Sequence, residues 1–183
     1  MSVTYNTMDP ILKLQAKVEK FFTLSKFMLV TPILLSEDII TMSMIYYTVT
    51  KYAYKFSPYI MVNGNAIYIH KSYKAKLGIH SKDYFDVFCR EVKYPFFYAP
   101  GKSITTTIGQ LNFYKWCVEI NLIEYIRENY DEIKYHMDLE KDDTASFSLS
   151  ENNTITDEAL LSTSERNRYK NKVRVVDAIK PPF

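Results

Sequence analysis

Hydrophobic positions change period along this chain, and each change marks an element. Ile11, Leu14, Val18, Phe21 and Phe22 recur at helical spacing, with Lys13, Lys17 and Lys20 between them. Asp9 supplies a cap and Pro10 suits the first helical position, so a helix is predicted there. Residues 27–35 form an apolar run that reads as β-like and broken at Pro32. Ser36-Glu37-Asp38 then predicts the start of a second helix, carrying Ile39, Ile40, Met44, Tyr47 and Tyr54. At YIMVNGNAIYIH, residues 59–70, the pattern becomes strand-like around an Asn-Gly pair. Asn63-Gly64 suits a type I′ turn, which predicts a hairpin with strands at 59–62 and 65–69. A lone hairpin is marginal in water, so a third strand is expected from 95–98, 103–107 or 173–176.

Beyond the hairpin the helical period returns. Gly78 marks a break, and Ser81 with Asp83 and Asp86 predicts a capped helix with a buried stripe of Phe85, Phe88, Cys89 and Val92. Pro95 and Pro100 bracket an aromatic loop, PFFYAP. Thr107 to Gln110 matches a capping box, and the stretch after it is strongly helical. Phe113, Cys117 and Ile120 make one stripe, and Ile126, Tyr130, Ile133 and Met137 make another. Asn121 either separates two helices or sits within one.

From Leu139 the character changes. Residues 139–165 are acidic and rich in Ser and Thr, and read as a disordered linker. Residues 166–183 are basic, and Val173 and Val175 suggest a short strand. The expected architecture is therefore α+β. One domain at 1–138 packs several helices on a small antiparallel sheet built around one hairpin, and a disordered C-terminal tail follows.

Composition narrows the class. At 183 residues with 47% hydrophobic positions, one domain with a sizeable core is expected. The 16 Tyr and 11 Phe supply most of the aromatic surface, and Tyr can pack its ring while its hydroxyl meets water or a partner. A net charge of +2 does not by itself indicate a nucleic-acid binder. The N-terminus has no basic stretch leading into an apolar core, and the longest apolar run falls short of a bilayer span. Cys89 and Cys117 lie among aromatics and read as reduced, buried thiols. Three His do not complete a metal site. These features predict an intracellular protein without membrane insertion, metal or cofactor.

Catalytic chemistry is hard to place. No P-loop, nucleophile elbow, zinc-protease motif or dinucleotide loop is present, and Gly101-Lys102-Ser103-Ile104-Thr105 lacks the upstream glycine of a phosphate loop. A Cys89–His80 pair is conceivable, but Cys89 falls on an apolar stripe, so no catalytic residue is assigned. The run from His70 to Lys76 mixes cations with an aromatic. Lys71, Lys74 and Lys76 suit phosphate, and Tyr73 suits a stacked base. Arg166, Arg168, Lys170, Lys172 and Arg174 form a second basic cluster. A solvated charged loop and a solubilising tail would have the same composition.

Thr106, Gly109, Gln110, Leu111, Asn112, Phe113, Tyr114, Lys115 and Trp116, with the acidic helix after them, fit a T-x-x-G-Q-L-N-F-aromatic-K/R-W segment. In these residues the chain resembles an uncharacterised family of short proteins from nucleocytoplasmic large DNA viruses, such as iridoviruses and mimivirus-like giants. The resemblance is strongest over residues 67–138. It implies a viral protein of the host cytoplasm, the nucleus or the virion, and it supplies no activity. The function expected first is a non-enzymatic regulatory or nucleic-acid-associated protein. A virion assembly protein using aromatic surface and tail is second, with a viral or host protein as partner. The oligomeric state is left open.

Overall fold

The computed structural model describes residues 9–150, with side chains through Lys141. Helix α1 (Pro10–Phe21) starts where the sequence placed it: the Asp9 carboxylate accepts from the Ile11 amide at 2.8 Å. The apolar run after it is helical rather than β-like, as α2 (Leu24–Met28) and α3 (Thr31–Leu34). Pro32 falls in the first turn of α3, where no amide proton is needed, so it permits the helix instead of breaking a strand. The Thr31 hydroxyl donates to the Phe27 carbonyl at 2.8 Å and joins the two turns.

The second long helix does not begin at Ser36. That residue is left-handed (φ 61°), and the Asp38 side chain, 9% exposed, is held by other partners. One Asp38 oxygen accepts from the Ile40 amide at 3.0 Å, and the carboxylate pairs with Arg127 at 2.8 Å. The helix starts instead at α4 (Met42–Tyr47), capped by the Thr41 hydroxyl, which accepts from Met44 N at 3.1 Å. It continues through a π-helical turn (Thr48–Tyr52) into α5 (Ala53–Phe56). Thr48 and Thr50 donate to the Met44 and Tyr46 carbonyls at 2.8 and 2.6 Å. Those bonds compete with the backbone ladder where it loosens.

The Asn-Gly hairpin forms: β1 (Tyr59–Val62) pairs antiparallel with β2 (Asn65–Tyr68). Asn63 and Gly64 both have positive φ, 50° and 79°, as a type I′ turn requires. Among the described residues the hairpin gains no third strand. Two of the candidates for that place pair with each other as β3 (Tyr94–Ala99) and β4 (Lys102–Thr106), a separate hairpin. PFFYAP is thus mostly strand, and the 173–176 candidate lies outside the described residues. The first hairpin is supported instead by packing: Ile60 is buried, and helix α6 (Ile69–His80) follows directly from β2.

Helix α6 occupies the stretch read as a basic loop. Ile69, Tyr73 and Leu77 recur every four residues and pack inward, which is enough to hold it helical past Gly78. The helix expected from Ser81 is absent. Ser81 closes α6 with φ 56°, and residues 82–93 run irregularly, with Phe85 and Val87 buried and Val92 87% exposed. Helices α7 (Ile108–Glu119) and α8 (Leu122–Glu128) are separated at Asn121, which is left-handed (φ 57°). Helix α9 (Tyr130–Ser150) runs past Asp138, so the first part of the expected linker is helical. The rest of that segment and the basic tail lie outside the described residues. The α+β class holds: among the described residues helices carry most of the core, and two small hairpins add Ile60 and Phe96 to it.

Gly64→Val places a β-branched residue at φ 79°, at a cost of about 1–2 kcal/mol. The melting temperature should fall by several degrees, and a melt matching the parent would refute the role of this turn.

Candidate nucleic-acid interface and its support

The nine residues that carry the T-x-x-G-Q-L-N-F-aromatic-K-W pattern are all buried. Gln110, Asn112 and the Gly109 carbonyl turn onto the irregular segment between α6 and β3. Gln110 Nε2 donates to the Val87 carbonyl at 3.0 Å, and its Oε1 accepts from the Thr106 hydroxyl at 2.8 Å. Asn112 Nδ2 donates to the Tyr84 carbonyl at 2.8 Å. The Asp86 amide donates to the Gly109 carbonyl at 3.2 Å. A β-carbon on Gly109 would lie 2.4 Å from the Asp83 carbonyl oxygen, so only glycine allows this approach. Half of the expected capping box is present. The Thr107 hydroxyl accepts from the Gln110 amide at 3.0 Å, but the Gln110 side chain is committed to Thr106 and Val87.

This clamp explains the missing helix at 82–92. Backbone groups that a helix would pair internally are paired by α7, and Phe85 is delivered into an aromatic cluster. Phe85 meets Phe113 at 5.2 Å and Trp116 at 5.5 Å between ring centroids, and Tyr73 meets Trp116 at 6.1 Å. The indole N–H of Trp116 donates to the Ser72 hydroxyl of α6 at 3.0 Å.

The predicted phosphate contacts sit on α6. Lys71 and Lys74 are exposed and one turn apart, whereas Lys76 is roughly 160° around the axis from Lys74. The three lysines therefore do not form one patch. Tyr73 is 7% exposed and its ring faces Phe85, Phe113 and Trp116, so it presents no free face for stacking. Arg166, Arg168, Lys170, Lys172 and Arg174 lie outside the described residues.

The structure brings other aromatics to Lys71 instead. Its ammonium lies 4.9 Å from the centroid of Tyr68, which stands 5.7 Å from Tyr59 across the hairpin. His70, next in the chain, meets the 75% exposed Tyr54 at 5.3 Å and bonds the Val49 carbonyl through Nδ1 at 3.1 Å. Tyr54 and Tyr68, not Tyr73, are thus the exposed aromatics near the start of α6. The sequence holds a signal for this surface: residues 39–82 contain six Lys and no Asp or Glu. By contrast, residues 119–143 contain nine Asp and Glu against three Lys and Arg. At the far end of α6, burial and then Lys76, Lys17 and Lys115 hold His80 below its ordinary pKa.

Other candidates are less developed. Burial pushes the Cys89 thiol up, the opposite of an activated nucleophile. Cys117 is fully buried and also raised. Among the described residues no His, Cys, Asp and Glu cluster could hold a metal, and no helix is long and apolar enough to cross a membrane. Among the aromatics of residues 45–54 and of β3, Tyr46, Tyr54 and Phe97 are exposed while Tyr47, Tyr52 and Phe96 are buried. A groove of about 800 Å³ between α2–α3 and α7–α8 is floored in part by Met28, Leu29, Pro32 and Ile123.

A family model described as "Family of unknown function (DUF7197)" matches residues 4–179. The chain belongs to this family. An uncharacterised protein of Acanthamoeba polyphaga mimivirus is 32% identical over 121 residues, covering 60% of this chain and 47% of that protein. The chain thus spans about half the length of that relative. No solved structure matches. The resemblance to uncharacterised proteins of large DNA viruses is borne out, and the DUF7197 match extends well past the motif in both directions.

Gly109→Ala should destabilise the protein by about 1–3 kcal/mol, since the new methyl group meets backbone and not a side chain that can move. Urea unfolding measures this, and a midpoint equal to the parent's would mean that α7 does not hold segment 83–87 so closely.

Proposed function

We propose that this DUF7197 protein is a non-enzymatic viral protein that associates with single-stranded nucleic acid through the surface of the first hairpin and α6. The supporting observation is the union of exposed cations and exposed aromatics, Lys71, Lys74, Tyr68 and Tyr54, on a stretch with no acidic residue between 39 and 82. Lysines neutralise phosphate without reading sequence, and aromatic faces stack on any base. The basic cluster from Arg166 to Arg174 supplies a further contact in this reading. Such a protein works in the host cytoplasm or nucleus, where viral nucleic acid is copied and packed. The groove beside α2 and α3, with Leu24, Met28 and Leu29 exposed around it, supports a second reading as a virion assembly protein.

Binding to a fluorescent single-stranded oligonucleotide tests the first reading. The double change Lys71→Ala and Lys74→Ala should weaken binding similarly for unrelated sequences and flatten its salt dependence. Tyr54→Ala should cost about 1–3 kcal/mol of affinity if its ring carries a base. Absence of binding by the intact protein at about 50 mM salt, where the electrostatic attraction is strong, would overturn this reading in favour of assembly.

A further inference from the structure

A cavity of about 320 Å³ opens between α6 and the clamped segment. That is the lower end of the range for small-molecule sites, about 300–1,000 Å³. Tyr46, Tyr73 and Phe85 give it aromatic lining, and Lys82, Asp83, Asp86, Arg90 and Glu91 supply charge. Tyr73 and Phe85 are spoken for by the core cluster, so Tyr46, 43% exposed, is the ring against which a flat group can lie. The charged share is ordered: Arg90 Nε and Nη2 each donate to one Asp86 oxygen at 2.7 Å. That pairing uses two of the five guanidinium N–H groups and one lone pair on each carboxylate oxygen, so donors and acceptors remain side by side. The Asp86 side chain is 11% exposed, and its backbone amide is bound to Gly109, so the pair is set before any ligand arrives.

Tyr73 and Leu77 are the α6 residues that line this cavity. By helical periodicity Lys74 and Lys76 flank that stripe, one on each side, about 60–100° away. The two lysines that fail to form a common patch therefore lie to either side of the α6 stripe that lines the cavity. The Tyr73 phenol, pushed up to about 12 by burial and by Tyr46 and Asp86, stays protonated as a donor at neutral pH.

We propose that this cavity receives one unstacked guanine from a bound single strand, with Lys74 and Lys76 on the flanking phosphates. Guanine presents a carbonyl acceptor beside two adjacent N–H donors, the complement of a guanidinium beside carboxylates. Adenine and thymine do not offer that order. The proposal rests on the nucleic-acid reading above and adds a base preference to it.

The test uses the full chain and three short thymidine-rich strands that differ at one central base: guanine, hypoxanthine or thymine. The guanine strand should bind about tenfold or more tightly than the thymine strand, the scale of one well-made base contact. Hypoxanthine, which lacks the exocyclic amine, should fall between them. Arg90 is 62% exposed on its side chain, so Arg90→Gln leaves the core in place. That variant should bring the guanine strand down to the affinity of the thymine strand, whereas Lys71→Ala should weaken all three strands equally and keep their order. Equal affinity of the intact protein for all three strands overturns the guanine pocket and leaves the nucleic-acid reading standing. Failure to bind any strand overturns both.

Discussion

The close contact between the start of α7 and residues 83–87 is the constraint on which much of this fold depends. An irregular segment inside a protein leaves amide and carbonyl groups without the partners a helix would give them. Each one buried unpaired costs about 1–3 kcal/mol. Here one helix supplies the partners, through Gln110, Asn112 and the Gly109 carbonyl. With its backbone satisfied, the segment can bring Phe85 and Val87 into the core. Phe85 in turn seats Tyr73 and Trp116, which fixes α6 against α7.

This arrangement changes what the shared family pattern means. A run of polar and aromatic residues invites a reading as a binding motif, yet all nine of its positions face inward. Even Lys115 is 8% exposed, paired with Glu119 and lying over the Phe21 ring. The pattern holds segment 83–87 in place from within the core without itself reaching solvent. The exposed cations Lys71, Lys74 and Arg90 lie on the elements it supports, α6 and segment 82–91.

Elements whose signals are local were legible in the sequence. Asp9-Pro10, Asn63-Gly64 and the Thr107 cap each act within a few residues, and each stands where expected. Asn121 resolved as a break because it is left-handed. The misread elements were decided over distance. Asp38 looked like a helix-start acid but answers Arg127, 89 positions away. Residues 81–92 looked helical because their apolar spacing is helical, and only the hydrogen bonds from α7 reveal the competing arrangement. Tyr73 looked like an exposed aromatic in a basic loop, but the stripe Ile69, Tyr73, Leu77 makes that loop a helix and turns the ring inward. The absence of acids from residues 39–82 was legible and carries more about the surface than the individual lysines do.

The helical rod from Met42 to Phe56 has a consequence for how the molecule would move in an electric field. Tyr54 on the rod touches His70 of α6, while Tyr52 and Phe56 touch His136 of the acidic helix α9. The rod therefore stands between a lysine-bearing helix and an acidic one, and holds them apart. A molecule with near-zero net charge but separated poles feels little net pull toward a polyanion, yet it feels a torque. Within about one Debye length, some 8–10 Å at physiological salt, it would turn its lysine side forward before any contact forms. Orientation, more than attraction, is what this distribution of charge provides.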